Sequence, residues 1–128
     1  MNPNYVYKVV LPDVISLNED PNQAIERSAI DEDTGFIHLA LAEQVLDIIQ
    51  RKFSFFREVW ILKIDYSKIV NGTQWEQSKS DTEDQTLFPH YYGELKVNFV
   101  VDVLKGRKNG QGDFDFPCEK LVSWSNHI

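Results

Sequence analysis

The sequence predicts one domain in which an amphipathic helix packs on a β-sheet. Three stretches carry this reading. Residues 58–66 are nearly continuous in apolar side chains, as expected of a central strand buried on both faces. Val45, Leu46, Ile49 and Phe53 recur at helical spacing. Residues 5–11, Tyr-Val-Tyr-Lys-Val-Val-Leu, are β-branched and aromatic. A chain of 128 residues is long enough to bury a real core.

In chain order, residues 5–11 form the first strand. Alternation places Tyr5, Tyr7 and Val9 on one face and Val6, Lys8 and Val10 on the other. Lys8 is the strand's one charge, either a rim lysine or a cation aimed at a ligand site. Pro12 ends the strand. Asp20 and Pro21 predict the start of a short helix, with Ala24, Ile25, Ser28 and Ala29 on its inner face. Asp31-Glu32-Asp33 reads as a solvated acidic loop. Asp33-Thr34-Gly35 is a turn signal that runs into an apolar strand over 36–40, with Phe36, His38 and Ala40 on one face.

A helix follows over about 42–53. Ala40 stands where a Ser or Thr would form a capping box with Glu43, so the helix start is expected to lack a side-chain cap. After the central strand, residues 66–70 form a turn closed by Asn71-Gly72. Residues 73–76 read as a short strand and 77–86 as an exposed polar loop. Phe88-Pro89-His90-Tyr91-Tyr92-Gly93 re-enters the body, and 96–104 is the last core strand. A flexible break spans 106–112. The single domain is thus expected over 1–105. Residues 106–128 form a tail with Phe114, Phe116 and Trp124 that docks on the body, exchanges with a second copy in a homo-oligomer, or is partly disordered.

The net charge is −7, with no basic cluster, which argues against a polynucleotide partner. A small anionic ligand stays open, because a local site can be basic on an acidic protein. No apolar run is long enough to span a bilayer, and the N-terminus lacks the features of a secretion signal. The one cysteine, Cys118, has no internal disulfide partner. A cytoplasmic setting away from the membrane is expected.

His38, Glu76 and His90 are polar groups in otherwise aromatic surroundings, and the stretches that carry them are expected to build one pocket with Trp75. Aromatic walls exclude water and strengthen electrostatics within a site. Such a trio suits general acid–base work or hydrogen bonding to a ribose. Taken singly, each residue also has a plain structural reading. His38 then is a core histidine, Glu76 an exposed strand residue and His90 a turn residue. Two imidazoles and a carboxylate also compose a zinc set, but no HExxH-type spacing supports one and no metal is expected.

Several stretches in this order resemble a bacterial family known as domain of unknown function 952. They are Tyr7-Lys8-Val9, Ser28 with Asp31, Gly35-Phe36-Ile37-His38-Leu39 with Glu43-Gln44-Val45, Trp75-Glu76, and Phe88-Pro89-His90-Tyr91-Tyr92-Gly93. The resemblance covers about 5–104. It implies an α+β domain with the split β-sheet of the ADP-ribosyltransferases and RNA 2′-phosphotransferases, and a nucleotide-sized pocket. By that analogy the catalytic places fall to His38, Glu76 and His90, and ligand binding falls to Tyr7, Lys8, Gly35 and Tyr92. NAD is the cofactor the analogy would supply. The sequence departs from the family pattern at Ala40 and Leu41, where Ser-Thr is usual, and at Lys79, where Arg is common. Lysine does not reproduce an arginine's bidentate clamp on phosphate.

Three functions stay open at this level. One is ADP-ribosyl transfer or cleavage of a related N-glycosidic or phosphate-ester bond. The second is a non-catalytic module binding a nucleotide or small metabolite. The third is an interaction protein that docks a partner through its aromatic tail.

Overall fold

The computed structural model describes residues 3–12, 20–77 and 86–115. The fold is α+β, with two antiparallel sheets and few helices. The first sheet has four strands in the order β1-β3-β6-β7: β1 Tyr5–Val10, β3 Glu58–Asp65, β6 Val100–Lys108 and β7 Phe114–Asp115. The second has three, in the order β2-β5-β4: β2 Ile37–His38, β5 Leu87–Tyr91 and β4 Thr73–Gln77. Helices α1, Ala29–Thr34, and α2, Ala42–Lys52, flank β2 in the chain.

β3 lies between β1 and β6, and Val59, Ile61, Leu62 and Ile64 are each 0% exposed. The continuous apolar run therefore serves two cores. Leu62 and Ile64 join Val6, Val10, Ile37 and Leu39 in one cluster, to which both sheets contribute. Val59 and Ile61 join Tyr7, Val45, Ile49 and Leu104 in the other, under α2. The expected alternation of β1 holds, with Tyr7 on the α2 side and Val6 and Val10 on the other.

α2 keeps its expected place, and Val45 and Ile49 are its buried stripe. Leu46 is half exposed, one position off that stripe. The cap register is one residue later than the sequence suggests. Leu41 is the N-cap and has no side-chain acceptor, but its N–H donates to Gln44 Oε1 at 2.9 Å, the backbone half of a capping box.

Three expectations are corrected. No helix begins at Pro21. Asp20 instead closes a turn, accepting from Asn22 N (2.9 Å), and the chain then runs extended against residues 95–98. Ile25 N donates to Leu95 O (2.7 Å) and Val97 N to Gln23 O (3.0 Å). Backbone pairing with a distant segment outcompetes the local helix signal. The acidic run is no solvated loop either: Asp31 lies in α1 and is 0% exposed. Finally, β6 starts at Val100 after a 3₁₀ turn at Val97–Phe99 and continues to Lys108, with Gly106 buried opposite Val59. The break begins later, at Asn109, and leads back into β7. The tail beyond Asp115, with Phe116, Cys118 and Trp124, lies outside the described residues, as does Lys79.

Residues 37–40 join the two sheets. Leu39 N donates to Pro89 O in the second sheet (3.1 Å), while Ala40 exchanges two backbone hydrogen bonds with Tyr7 of β1, each 2.8 Å. His38, just before these two residues, is therefore held between β1 and β5.

Candidate functional site

The site begins at the end of α1. Gly35 takes a left-handed conformation (φ +85°) and its N–H donates to Asp31 O at 3.0 Å, closing the helix. That reversal feeds Phe36 into the core at 0% exposure and starts β2. β2 pairs with β5 so that His38 stands directly opposite His90. Phe36 floors both rings. It stacks on His90 (centroids 4.1 Å, 22°) and lies 4.6 Å from the His38 ring.

Asp31 orients His38. Ser28 caps α1 through its Oγ, which accepts from Asp31 N at 3.3 Å, and Asp31 Oδ2 accepts in return from Ser28 N at 3.4 Å. The same carboxylate receives Lys8 Nζ at 2.9 Å, and its Oδ1 receives both Nδ1 (2.8 Å) and the backbone N–H (3.1 Å) of His38. Lys8 also donates to His38 O at 3.3 Å. Burial by itself would raise the Asp31 carboxyl. The His38 hydrogen bond and the Lys8 charge outweigh it and hold the group well below the usual carboxylate range. Burial pulls the Lys8 ammonium down, with Asp31 opposing it and Arg27 adding to it.

An ionised carboxylate can only accept, so His38 Nδ1 carries the proton. In the neutral ring Nε2 is then an acceptor. Nε2 has no hydrogen-bond partner among the described residues, and the side chain is 31% exposed.

The second imidazole is held in the same way. His90 Nδ1 lies 3.0 Å from Glu76 Oε1, which also accepts from the Tyr92 hydroxyl at 2.7 Å. That hydrogen bond raises the Tyr92 hydroxyl above its ordinary value. Trp75, expected beside Glu76 in the pocket, points the other way along β4. Its Nε1 donates to Tyr66 OH at 3.1 Å and its ring packs on the first core cluster.

A cavity of about 630 Å³ opens beside these groups. Tyr7, Lys8, His38 and His90 line it; Gly35, Glu76 and Tyr92 do not. Gly35 acts as the helix cap. Tyr7 is 0% exposed and bonded into the second core, so it forms wall, and burial followed by the nearby Tyr5 pushes its hydroxyl up to about 12. Tyr92 is 46% exposed, with its ring 5.2 Å from that of Phe36. Phe88, from the stretch expected to build the pocket, lines the cavity, and so do residues not foreseen: Arg27, Asp31 and, from the end of α2 onward, Phe53 and Phe56. Asp31 had a legible signal, since Ser28-Ala-Ile-Asp31 has capping-box spacing. Arg27 had none. Among the described residues, no three His, Cys, Asp or Glu side chains gather as a metal-binding group, and no helix is long and apolar enough to cross a membrane.

Fold and site together define an α+β domain whose two sheets meet at a carboxylate-held pair of histidines. The chain belongs to the family described as "Protein of unknown function (DUF952)", whose model matches residues 16–103. No curated protein matches the sequence. Two crystal structures of protein CC0527 from Caulobacter crescentus, one of them a double mutant, superpose with a TM-score of 0.71. Each is 23% identical and covers 92% of this chain and 98% of that one. The solution NMR structure of the same protein superposes with a TM-score of 0.68 at 24% identity, over 89% and 91% of the chains. CC0527 is a structural genomics target, and the likeness speaks to the fold alone.

Proposed function

We propose that the protein is a cytoplasmic bacterial enzyme performing acid–base chemistry on a nucleotide-type small molecule at His38 and His90. ADP-ribosyl transfer from NAD, or a related glycosidic or phosphate-ester cleavage, is the reaction class that the split-sheet resemblance supplies. The observation that carries the reading is His38 Nε2, unpartnered among the described residues on a ring that lines a 630 Å³ cavity, with Nδ1 tied to the buried Asp31. Holding one imidazole nitrogen on a carboxylate fixes the tautomer and leaves the other for a substrate proton. His90, opposite it, is the second proton carrier. The cavity volume falls within the range of small-molecule sites. Glu76 and Tyr92 do not line the cavity, so in the ADP-ribosyl version they act through His90, whose Nδ1 Glu76 holds.

One observation favours a second reading, a binding module without turnover. Glu76 Oε1 is already engaged by both His90 and Tyr92. A carboxylate held this way is a poorer partner for a developing cation.

The test is thermal unfolding with millimolar NAD, ADP-ribose and nicotinamide on the wild type and His38→Gln, followed by an assay of nicotinamide release. A ligand at 100 times its Kd stabilises by about 2.7 kcal/mol, a shift on the order of 5 °C or more for this size. The catalytic reading expects a shift with NAD and release that His38→Gln abolishes. A shift without release selects the binding module. No shift with any of the three overturns the NAD reading.

A further inference from the structure

We infer that this cavity takes a phosphate-bearing ligand and that Arg27 is the residue that receives the phosphate. The inference deepens the proposed function and rests on its placing of the ligand in this cavity.

The charges on the cavity wall are unevenly paired. Lys8 and Arg27 both line it, and close to them stands one buried carboxylate, Asp31. Lys8 takes that carboxylate at 2.9 Å. Arg51 and Lys52, further along the wall, are exposed, and Arg51 is paired with Asp47 at 3.3 Å. Arg27 has no carboxylate partner among the described residues. Glu26, the other acid on the wall, is exposed. The inner wall therefore carries one positive charge more than it neutralises.

The guanidinium is also held in place. Arg27 is half-buried and its Nη2 donates to Gly93 O at 2.9 Å. Its backbone follows directly on the stretch pinned to residues 95–98, and Ser28 caps the next helix. One of five N–H donors is used and the fork remains for a ligand. A planar, partly desolvated fork suits phosphate oxygens better than a lysine does. Phe88, Phe53 and Phe56 also line the cavity and offer apolar surface for a flat base or ring. The His38 ring lines the same cavity, so a bound phosphate ester would have an anchor and a proton carrier in one space.

The experiment is isothermal titration of the full chain with pyrophosphate, AMP, ADP-ribose and adenosine, for the wild type, Arg27→Gln and Arg27→Lys. Glutamine can still donate to the Gly93 carbonyl, and lysine keeps the charge. Unfolding curves without ligand establish that each variant is folded. The three phosphate probes should bind the wild type more tightly than adenosine, and more weakly as salt is raised. Arg27→Gln should weaken them at least tenfold and leave adenosine unchanged, with Arg27→Lys between. Should Arg27→Gln not fold, the loss in Arg27→Lys and its salt dependence decide. The inference is overturned if no phosphate probe binds, or if binding is the same with and without the guanidinium. Arg27-dependent binding without turnover would uphold the anchor and sink the catalytic reading. NAD turnover with an unchanged KM in Arg27→Gln would do the reverse.

Discussion

His38 and His90 are direct partners across the β2–β5 ladder, and their ring centroids lie 5.4 Å apart. Each keeps Nδ1 on a carboxylate, Asp31 for one and Glu76 for the other. Neither carboxylate is close to its histidine in sequence in a way that strand or helix periodicity would suggest. The pair is made by the fold.

The first concerns the tautomer of His38. Long-range ¹⁵N–¹H correlation spectra should show Nδ1 protonated and Nε2 bare in the neutral ring, because Asp31 can only accept. The opposite tautomer would remove the open acceptor on which the catalytic reading depends. Asp31→Asn, which can offer the ring a donor in place of an acceptor, should cost turnover about 10²- to 10⁴-fold wherever an activity is found.

Removing one side of the Lys8–Asp31 pair should be costly. Both groups are buried, at 5% and 0% exposure. Asp31→Leu strands an ammonium in the core and should lose about 3–5 kcal/mol in urea unfolding. The double variant Lys8→Met/Asp31→Leu removes both charges and should lose clearly less than the sum of the single changes. Additive losses would mean that the pair contributes nothing through its coupling.

Asp31 should also shape the acid limb of stability. Its carboxyl is depressed from the ordinary 3.8 in the folded state. A depressed acid stabilises fully above its unfolded value and loses that contribution as pH falls towards the folded value. Stability should therefore fall below about pH 4, and Asp31→Asn should flatten this limb. At the other end, the Tyr7 hydroxyl is raised from 10.0 to about 12. A raised group keeps its contribution below the unfolded value and loses it as pH climbs to the folded one, so stability should decline between pH 10 and 12. Tyr7→Phe should remove the part of that decline due to this residue.

Gly93 should resist substitution for a steric reason. A β-carbon there would lie 2.6 Å from both Cζ and the hydroxyl of Tyr91. Gly93→Ala should cost about 1–3 kcal/mol by overpacking, and Tyr91→Leu in the same chain should recover most of it. Since the Gly93 carbonyl holds Arg27, the single variant should also weaken phosphate-probe binding. Unchanged stability in Gly93→Ala would show that the Tyr91 ring moves aside freely.

Part of this protein was legible residue by residue. The apolar run at 58–65, interrupted by Lys63, read as a strand covered on both faces, and the helical spacing of Val45, Leu46, Ile49 and Phe53 gave the stripe in which Val45 and Ile49 are buried. Alternation sorted β1 correctly, and the two stretches that carry His38 and His90 do come together, the residues facing each other across β2 and β5. These readings succeed because burial on a regular element imposes a short period on the sequence. The tertiary structure decided the rest. A helix signal at Pro21 gave way to backbone hydrogen bonds with residues 70 or more positions away. An acidic run that reads as solvated supplied the buried Asp31, because Lys8 and the His38 ring converge on it from β1 and β2. Arg27 became a cavity residue only when the Gly93 carbonyl took its guanidinium. Whether a charge is buried depends on a partner that can compensate it, and that partner is chosen by the way the chain folds back, which no local pattern records.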